Sequence, residues 1–260
     1  MNITQLRNAT VVIEYDQHVI LVDPMFAPKG AIPPLKYVSK QRRRNPLVEL
    51  PENADRILER VTHCLITHCQ KGHFDHLDRA AVKWLRNREI PILCMEGDSE
   101  YLSKKGLKVL PLKADNAQQP FLEGSVTPVP CLHGRGVVGK FMAHGYGYFI
   151  QWPGEPSLYL AGDTIFTPQV EHCLSTYRPD VSVLPAGGAN FDLGGEIIMG
   201  AGDMLTASQI STGKVIANHL EALDHCPVTR KQLMDLRKRE KLDDRLLIPE
   251  DGETLCFAAG

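Results

Sequence analysis

The sequence lacks the features that mark several large classes of protein. Its 260 residues contain no run of about 18 apolar residues, so no membrane-spanning helix is expected. The first residues, Met1-Asn2-Ile3-Thr4-Gln5-Leu6-Arg7-Asn8, have no basic stretch leading into an apolar one, so no secretory signal is expected either. Seven cysteines, at 64, 69, 94, 131, 173, 226 and 256, make an odd number without a CxxC pair. They read as reduced thiols of a cytoplasmic protein rather than a disulfide framework. Twenty-nine Lys and Arg against 31 Asp and Glu leave a net charge of −2, so no global basic field draws nucleic acid or a membrane surface. No GxxxxGK[ST] loop and no GxGxxG opening a helix occur, which disfavours a nucleotide-driven enzyme. No short tandem repeat occurs. What remains is an ordinary globular composition, 43% hydrophobic and 23% charged, long enough to bury a sizeable core. A single domain over 1–260 is expected.

Two β-branched runs, 9–15 and 18–23, flank Asp16-Gln17 and predict a hairpin. Residues 25–52 then hold Pro28, Pro33, Pro34, Pro46 and Pro51 with Lys40 and Arg42-Arg43-Arg44. This Pro/Arg-rich stretch reads as a functional loop insertion, able to close a site or to cover a neighbouring copy in a homo-oligomer. A strand at 63–67 precedes a helix capped by Asp78, with apolar positions 81, 82 and 85 at helical spacing. Further strands are expected at 91–95, 107–111, 124–130, 146–152, 157–162, 181–184, 214–218, 245–249 and 253–258. Helices are expected at 98–105, 168–176, 203–211 and 229–241. Hairpins followed by alternating strands and helices, twice over, suit two sheets with helices on their outer faces.

The ten histidines are placed informatively. His68 ends the 63–67 strand, and His73, Asp75 and His76 form HxDH just beyond it. His133 follows the 124–130 strand, Asp163 follows 157–162, and His219 follows 214–218. Loops at one end of a sandwich converge, so these seven residues can share a site. Neutral imidazole and carboxylate suit Zn, Mn or Fe. A carboxylate such as Asp163 can bridge two divalent cations about 3.5–4 Å apart, which lower the pKa of a shared water towards about 7. A single loop histidine is usually a surface or hydrogen-bonded residue. Seven ligand-type residues at successive strand ends are a poor coincidence.

The order Asp23-Pro24, Thr67-His68, His73-Phe74-Asp75-His76, His133, Gly162-Asp163-Thr164 and His219 resembles the metallo-β-lactamase superfamily over about 9–225. That resemblance implies an α/β fold, a four-layer αββα sandwich of two mixed β-sheets flanked by helices, with a binuclear metal site at one edge. It implies one metal on His68, His73 and His133, another on Asp75, His76 and His219, and Asp163 between them. Asp75-His76-Leu77-Asp78 and Val183-Leu184-Pro185-Ala186-Gly187-Gly188 are similar to the branch of ascorbate-6-phosphate lactonase and N-acyl-phosphatidylethanolamine phospholipase D. One departure stands out. The family reads HxHxDH, yet Lys71 stands two residues before His73. His68 lies five before, so three extra residues intervene. Gly72 would let a loop excursion return His68 to the metal; the alternative is a lost first ligand.

The expected function is metal-dependent hydrolysis of a small polar or anionic ester, lactone or phosphodiester. A metal-bridging hydroxide attacks, and Asp75 orients it. Two divalent ions are expected, zinc first, with manganese or iron admitted. An iron-dependent oxidoreductase on the same scaffold is the alternative, and a non-catalytic metal-binding protein is a third. A β-lactamase is the least attractive hydrolase, because fold kinship does not transfer substrate. His225 can support a ligand or touch substrate as a catalytic group, or be a plain capping residue. Asp23 is expected to hold the histidine loop as an acceptor. Lys29, Lys71 and Arg43 are the candidates to meet an anionic substrate, against the reading of a solvated basic face. His63 is read as a core or edge residue; His18, His144 and His172 have no ligand context. Cys69 and Cys131 are read as small buried residues.

Overall fold

The computed structural model describes residues 1–38, 42–70, 72–115, 117–142, 145–192 and 194–258. Two mixed seven-stranded sheets face each other. The first is built from β1 (Asn2–Arg7), β2 (Thr10–Tyr15), β3 (His18–Val22), β4 (His63–Leu65), β5 (Ile92–Met95) and β6 (Val109–Leu112), with β14 (Thr254–Cys256) beside β1. β1, β2 and β3 run antiparallel, and β3 through β6 run parallel. The second holds β7 (Gln119–Phe121), β8 (Gly124–Pro130), β9 (Tyr146–Gln151), β10 (Leu158–Leu160), β11 (Val181–Pro185), β12 (Lys214–Asn218) and β13 (Leu246–Leu247). Its strands are antiparallel from β7 to β10 and parallel from β10 to β13.

Side chains alternate across each strand, so each sheet offers two faces. Ile3, Ile13, Ile20, Val22 and Leu65 of the first sheet pack against Val126, Tyr148, Ile150, Leu160 and Val183 of the second. The alternate residues face outward and are covered by helices. α1 (Ala54–Leu58), α2 (Arg79–Asn87) and α3 (Glu96–Ser103) bury Ile57, Ala81, Leu85 and Leu102 over Val12, Cys64 and Ile92. On the far side α5 (Pro168–His172), α6 (Ala201–Ile210) and α7 (Arg230–Arg239) bury Val170, Met204, Ala207 and Leu233 over Phe149, Tyr159 and Val215. The layers are therefore αββα. Each fully buried aliphatic side chain contributes about 1.5–3 kcal/mol, so the packing of these layers dominates stability.

The expected Asp78 cap forms. Asp78 accepts the Ala81 N–H at 2.8 Å and also that of Ala27 at 2.5 Å, tying α2 to the chain beyond β3. Thr229 and Gln232 close a capping box on α7. Several boundaries differ from expectation. The 63–67 strand ends at Leu65, because Ile66 and Thr67 turn into the histidine loop. The 168–176 helix widens into a π turn over Cys173–Tyr177. Four elements were not expected: β1, α1, β7 and α4 (Gly136–Phe141). The last three are short, and α4 buries no residue, so none has a period long enough to read.

The 25–52 stretch carries no long helix or strand among its described residues. It is held by side chains instead. The fully buried Arg7 guanidinium donates to the carbonyls of Met25 (2.6 Å), Ala27 (2.9 Å) and Val48 (3.0 Å). Asp224 accepts from Leu35 N, Lys36 N and Asn45 Nδ2. No helix among the described residues is long and apolar enough to cross a membrane.

Candidate metal centre

All seven ligand-type residues meet at one edge of the sandwich. Each lies beyond the C-terminal end of a strand: His68 to His76 after β4, His133 after β8, Asp163 after β10 and His219 after β12. Tight backbone turns deliver them. Gly162 has φ +64°, with Thr67 Cβ 3.1 Å from where its own Cβ would stand, and His219 has φ 57°. Gly72 has φ +87° in the excursion between His68 and His73. His68 does return: its ring centroid lies 4.5 Å from that of His73 and 5.5 Å from that of His133.

The ligand atoms fall into two groups. His68, His73 and His133 form one; Asp75, His76, Asp163 and His219 form the other, and within each the atoms lie within 4.8 Å of one another. Asp163 Oδ2 stands between them, 3.4 Å from His133 Nε2, 3.1 Å from His76 Nε2 and 3.5 Å from His219 Nε2. Asp75 Oδ2 lies 3.3 Å from His219 Nε2 and 3.6 Å from His76 Nε2.

Every imidazole has its outer nitrogen occupied. His76 Nδ1 donates to Asp23 Oδ2 at 2.9 Å, His73 Nδ1 to Gln70 O at 2.5 Å and His133 Nδ1 to Ile197 O at 2.8 Å. Thr67 Oγ1 gives its proton to Asp23 Oδ2 and so accepts from His68 Nδ1 at 3.0 Å. His219 Nδ1 pairs with Cys226 Sγ at 3.5 Å. These partners fix the tautomers and leave the Nε2 atoms inward. Nε2 of His68 and His73 is buried without a hydrogen bond. Such an atom costs about 1–3 kcal/mol, and a cation is the partner this donor set fits.

Electrostatics differ between the groups. Burial pushes the His133 imidazole down to about 4 and His68 well below its usual value, so both stay neutral. Burial acts the same way on His76 and His219, but the carboxylates beside them, Asp163 foremost, raise both well above theirs. Asp75 and Asp163 are likewise buried, yet His76 and His219 hold them below the usual carboxylate range. Protons on two imidazoles thus balance two carboxylates where no cation does.

The remaining candidates lie elsewhere. His225 is buried, stacked on Phe191, with Nδ1 3.9 Å from Cys226 Sγ, and belongs to neither group. Lys29 and Arg43 are exposed, and their backbone N–H groups bond Glu49 and Asp224. Among the described residues no hydrogen bond or ion pair links either to the seven. Arg44 spends its guanidinium on the carbonyls of Gly30 and Ala31. Lys71, Lys40 and His144 lie outside the described residues. His63 is half-buried beside Thr62, and His18 is paired with Glu123. Cys69 is buried, and half-buried Cys131 directs its thiol at the Ala161 carbonyl.

Two contributors were not anticipated. Asn8 accepts the His219 N–H through its carbonyl at 3.0 Å and sets its amide 3.4 Å from His219 Nε2. Cys226 sits on an irregular loop with no period to betray it. The available signal was Gly187, where a Cβ would stand 2.3 Å from His219 O and 3.1 Å from Cys226 Sγ.

No protein-family model matches the chain. Among curated proteins, the UPF0173 protein YddR of Bacillus subtilis (strain 168) is 33% identical over 261 residues, 99% of this chain and 100% of the relative. A UPF0173 metal-dependent hydrolase of Koribacter versatilis is 29% identical over 141 residues, 53% of this chain and 58% of its own. Among solved structures, an isothiocyanate hydrolase from Delia radicum gut bacteria is 31% identical with a TM-score of 0.88, each chain fully covered. The metallo-β-lactamase fold protein YhfI of Bacillus subtilis, 13% identical with a TM-score of 0.65 and 98% of each chain covered, shares the fold. The architecture is thus the metallo-β-lactamase fold, as the sequence resemblance implied.

Proposed function

This chain belongs to the UPF0173 family of metal-dependent hydrolases, and from that premise we propose that its seven clustered side chains hold two divalent cations to hydrolyse a small molecule at an electrophilic carbon. One observation carries the reading: each of the five imidazoles has its Nδ1 occupied, and the Nε2 atoms of His76, His133 and His219 meet two carboxylates, with His68 and His73 clustered beside His133. In this reading His68, His73 and His133 take one cation, Asp75, His76 and His219 the other, and Asp163 reaches both. Nitrogen and oxygen donors suit zinc first, with manganese or iron admitted. Cations bound there would supply hydroxide at neutral pH and polarise the substrate.

The chain's own groups do the positioning. Asp75 orients the attacking water from the more open side of the centre. Asp23 and Thr67 keep His76 and His68 in register. His225 is assigned the proton delivered to the leaving group.

The electrophile we favour is the carbon of an ester, a lactone or an isothiocyanate. Esters and lactones follow from the lactonase resemblance, and isothiocyanates from the relative at 31% identity. For an isothiocyanate, water adds at the central carbon, the C–N bond breaks, and an amine and carbonyl sulfide leave. A phosphodiester is the less favoured substrate because the relative at 31% identity acts on an isothiocyanate, at carbon. Metal-replete protein should turn over members of a panel of an aryl ester, a lactone and an isothiocyanate, and spare bis(p-nitrophenyl) phosphate. Asp163→Ala should abolish that turnover. Full activity in the variant, or hydrolysis of the phosphodiester alone, would overturn the reading.

A further inference from the structure

The seven side chains are not equally sealed. His68, His76 and His219 are at most 1% exposed, whereas His73, Asp75 and His133 keep 6–7%. Solvent therefore reaches the centre over the last three. The walls there are apolar. A hydrophobic cluster built on Met25, Ile197 and Cys226 carries Phe74, Val138 and Phe191 as half-buried outer members. It adjoins the centre directly: Phe74 lies between His73 and Asp75 in the chain, Ile197 holds His133, and Cys226 contacts His219.

One stretch of this wall is aromatic. His225 stacks on Phe191 with ring centroids 5.4 Å apart and planes 15° from parallel. Phe191 in turn meets Tyr37 at 6.5 Å, tilted 49°, and Tyr37 is 66% exposed. The rings run from solvent to His225, whose Nδ1 approaches the same sulfur that contacts His219. Charges on the flanking segments are tied to one another. Lys36 Nζ lies 3.1 Å from Asp192 Oδ1 and 2.7 Å from Asn190 Oδ1, and Asp224 is engaged by backbone N–H groups. The wall that an entering group meets here is made of rings.

We propose that Tyr37, Phe191 and His225 form a substrate subsite that takes the aryl or alkyl substituent of a neutral substrate and sets its electrophilic carbon over Asp75. The subsite rests on the hydrolase reading above and specifies its substrate class. Ring faces reward an apolar or aromatic partner by area and by offset stacking. A charged substituent would lose hydration there without compensation.

Zinc-loaded protein should be assayed with methyl, propyl and benzyl isothiocyanate. The expected result is a kcat/KM that rises about fourfold per buried methylene, carried mainly by KM. Phe191→Ala should flatten that rise, and Phe191→Leu should restore it for propyl more than for benzyl. An equal rise in wild type and Phe191→Ala overturns the subsite. Saturation-transfer NMR with unreactive phenylacetamide reads the subsite without turnover: ring saturation is expected in wild type and lost in Phe191→Ala, with unchanged zinc content certifying the fold. Phenylacetamide binding that depends on Phe191, without turnover of any isothiocyanate, would support the subsite while refuting hydrolysis of that class. Turnover independent of substituent, or no binding of the probe, would refute the subsite.

Discussion

The two halves of the proposed metal centre share a carboxylate and little else. His68, His73 and His133 bring three imidazoles and no carboxylate of their own. Asp75, His76, Asp163 and His219 bring two carboxylates and two imidazoles. The first group relies on hydroxyl and carbonyl partners, and burial keeps His68 and His133 neutral. The second is anchored by Asp23 and Cys226 and, without a cation, is neutralised by its own protons. Donor geometry alone makes both groups ready. In the proposed centre a cation entering the carboxylate-rich group would displace protons, so that group is expected to be the one more sensitive to pH.

Removing the shared carboxylate should have the largest effect. Asp163→Ala is expected to lower kcat/KM by roughly a thousandfold, the scale of losing a preorganised electrostatic contact. It should also deplete both groups of metal, as read by elemental analysis of the purified variant. Second in size is Cys226→Ala. Losing the partner of His219 Nδ1 should weaken cation binding at the carboxylate-rich group by about 10–100-fold while sparing the three-histidine group, as competition with a chromophoric chelator would show. Equal weakening of both would erase the distinction between them.

The pH dependence sharpens the comparison further. His76 and His219 are raised in the cation-free protein, so a cation must displace their protons, and its affinity there should climb as pH rises through neutrality. Burial lowers His133 to about 4 and holds His68 well below its usual value, so these two offer a cation no proton to displace at neutral pH. Calorimetric titrations at several pH values should give a steeper slope for the carboxylate-rich group than for the three-histidine group. The smallest effect is expected away from the metals. Asp224→Ala should speed amide exchange at residues 35 and 36, whose N–H groups the carboxylate holds, with metal content unchanged.

Much of this was legible in the sequence because it depends on local pattern. The β2–β3 hairpin, the Asp78 cap and the strand-end placement of His133, Asp163 and His219 are each written within a few residues. Asp23 was readable as an acceptor for the same reason, standing at a strand end before proline. What did not read depends on long-range packing. Cys226 meets His219 only because Gly187 admits both, and Phe191 meets His225 across a loop with no period. Arg7 was given no role from sequence, yet it is fully buried and donates to three carbonyls of the 25–52 segment. The basic residues of 25–52 allowed a solvated charged face, the favoured reading, or an anion clamp; in the described part of that segment Arg44 and Arg7 bond backbone carbonyls and Asp224 accepts backbone N–H groups.

The most direct test of a binuclear centre is metal content per chain, measured by plasma mass spectrometry on protein purified without a chelating column, for wild type and His68→Ala. Two cations in wild type falling to one in the variant would match the two groups and place His68 in the first, across its three-residue excursion. One cation in both proteins would contradict the account and leave the three-histidine group without a metal to hold.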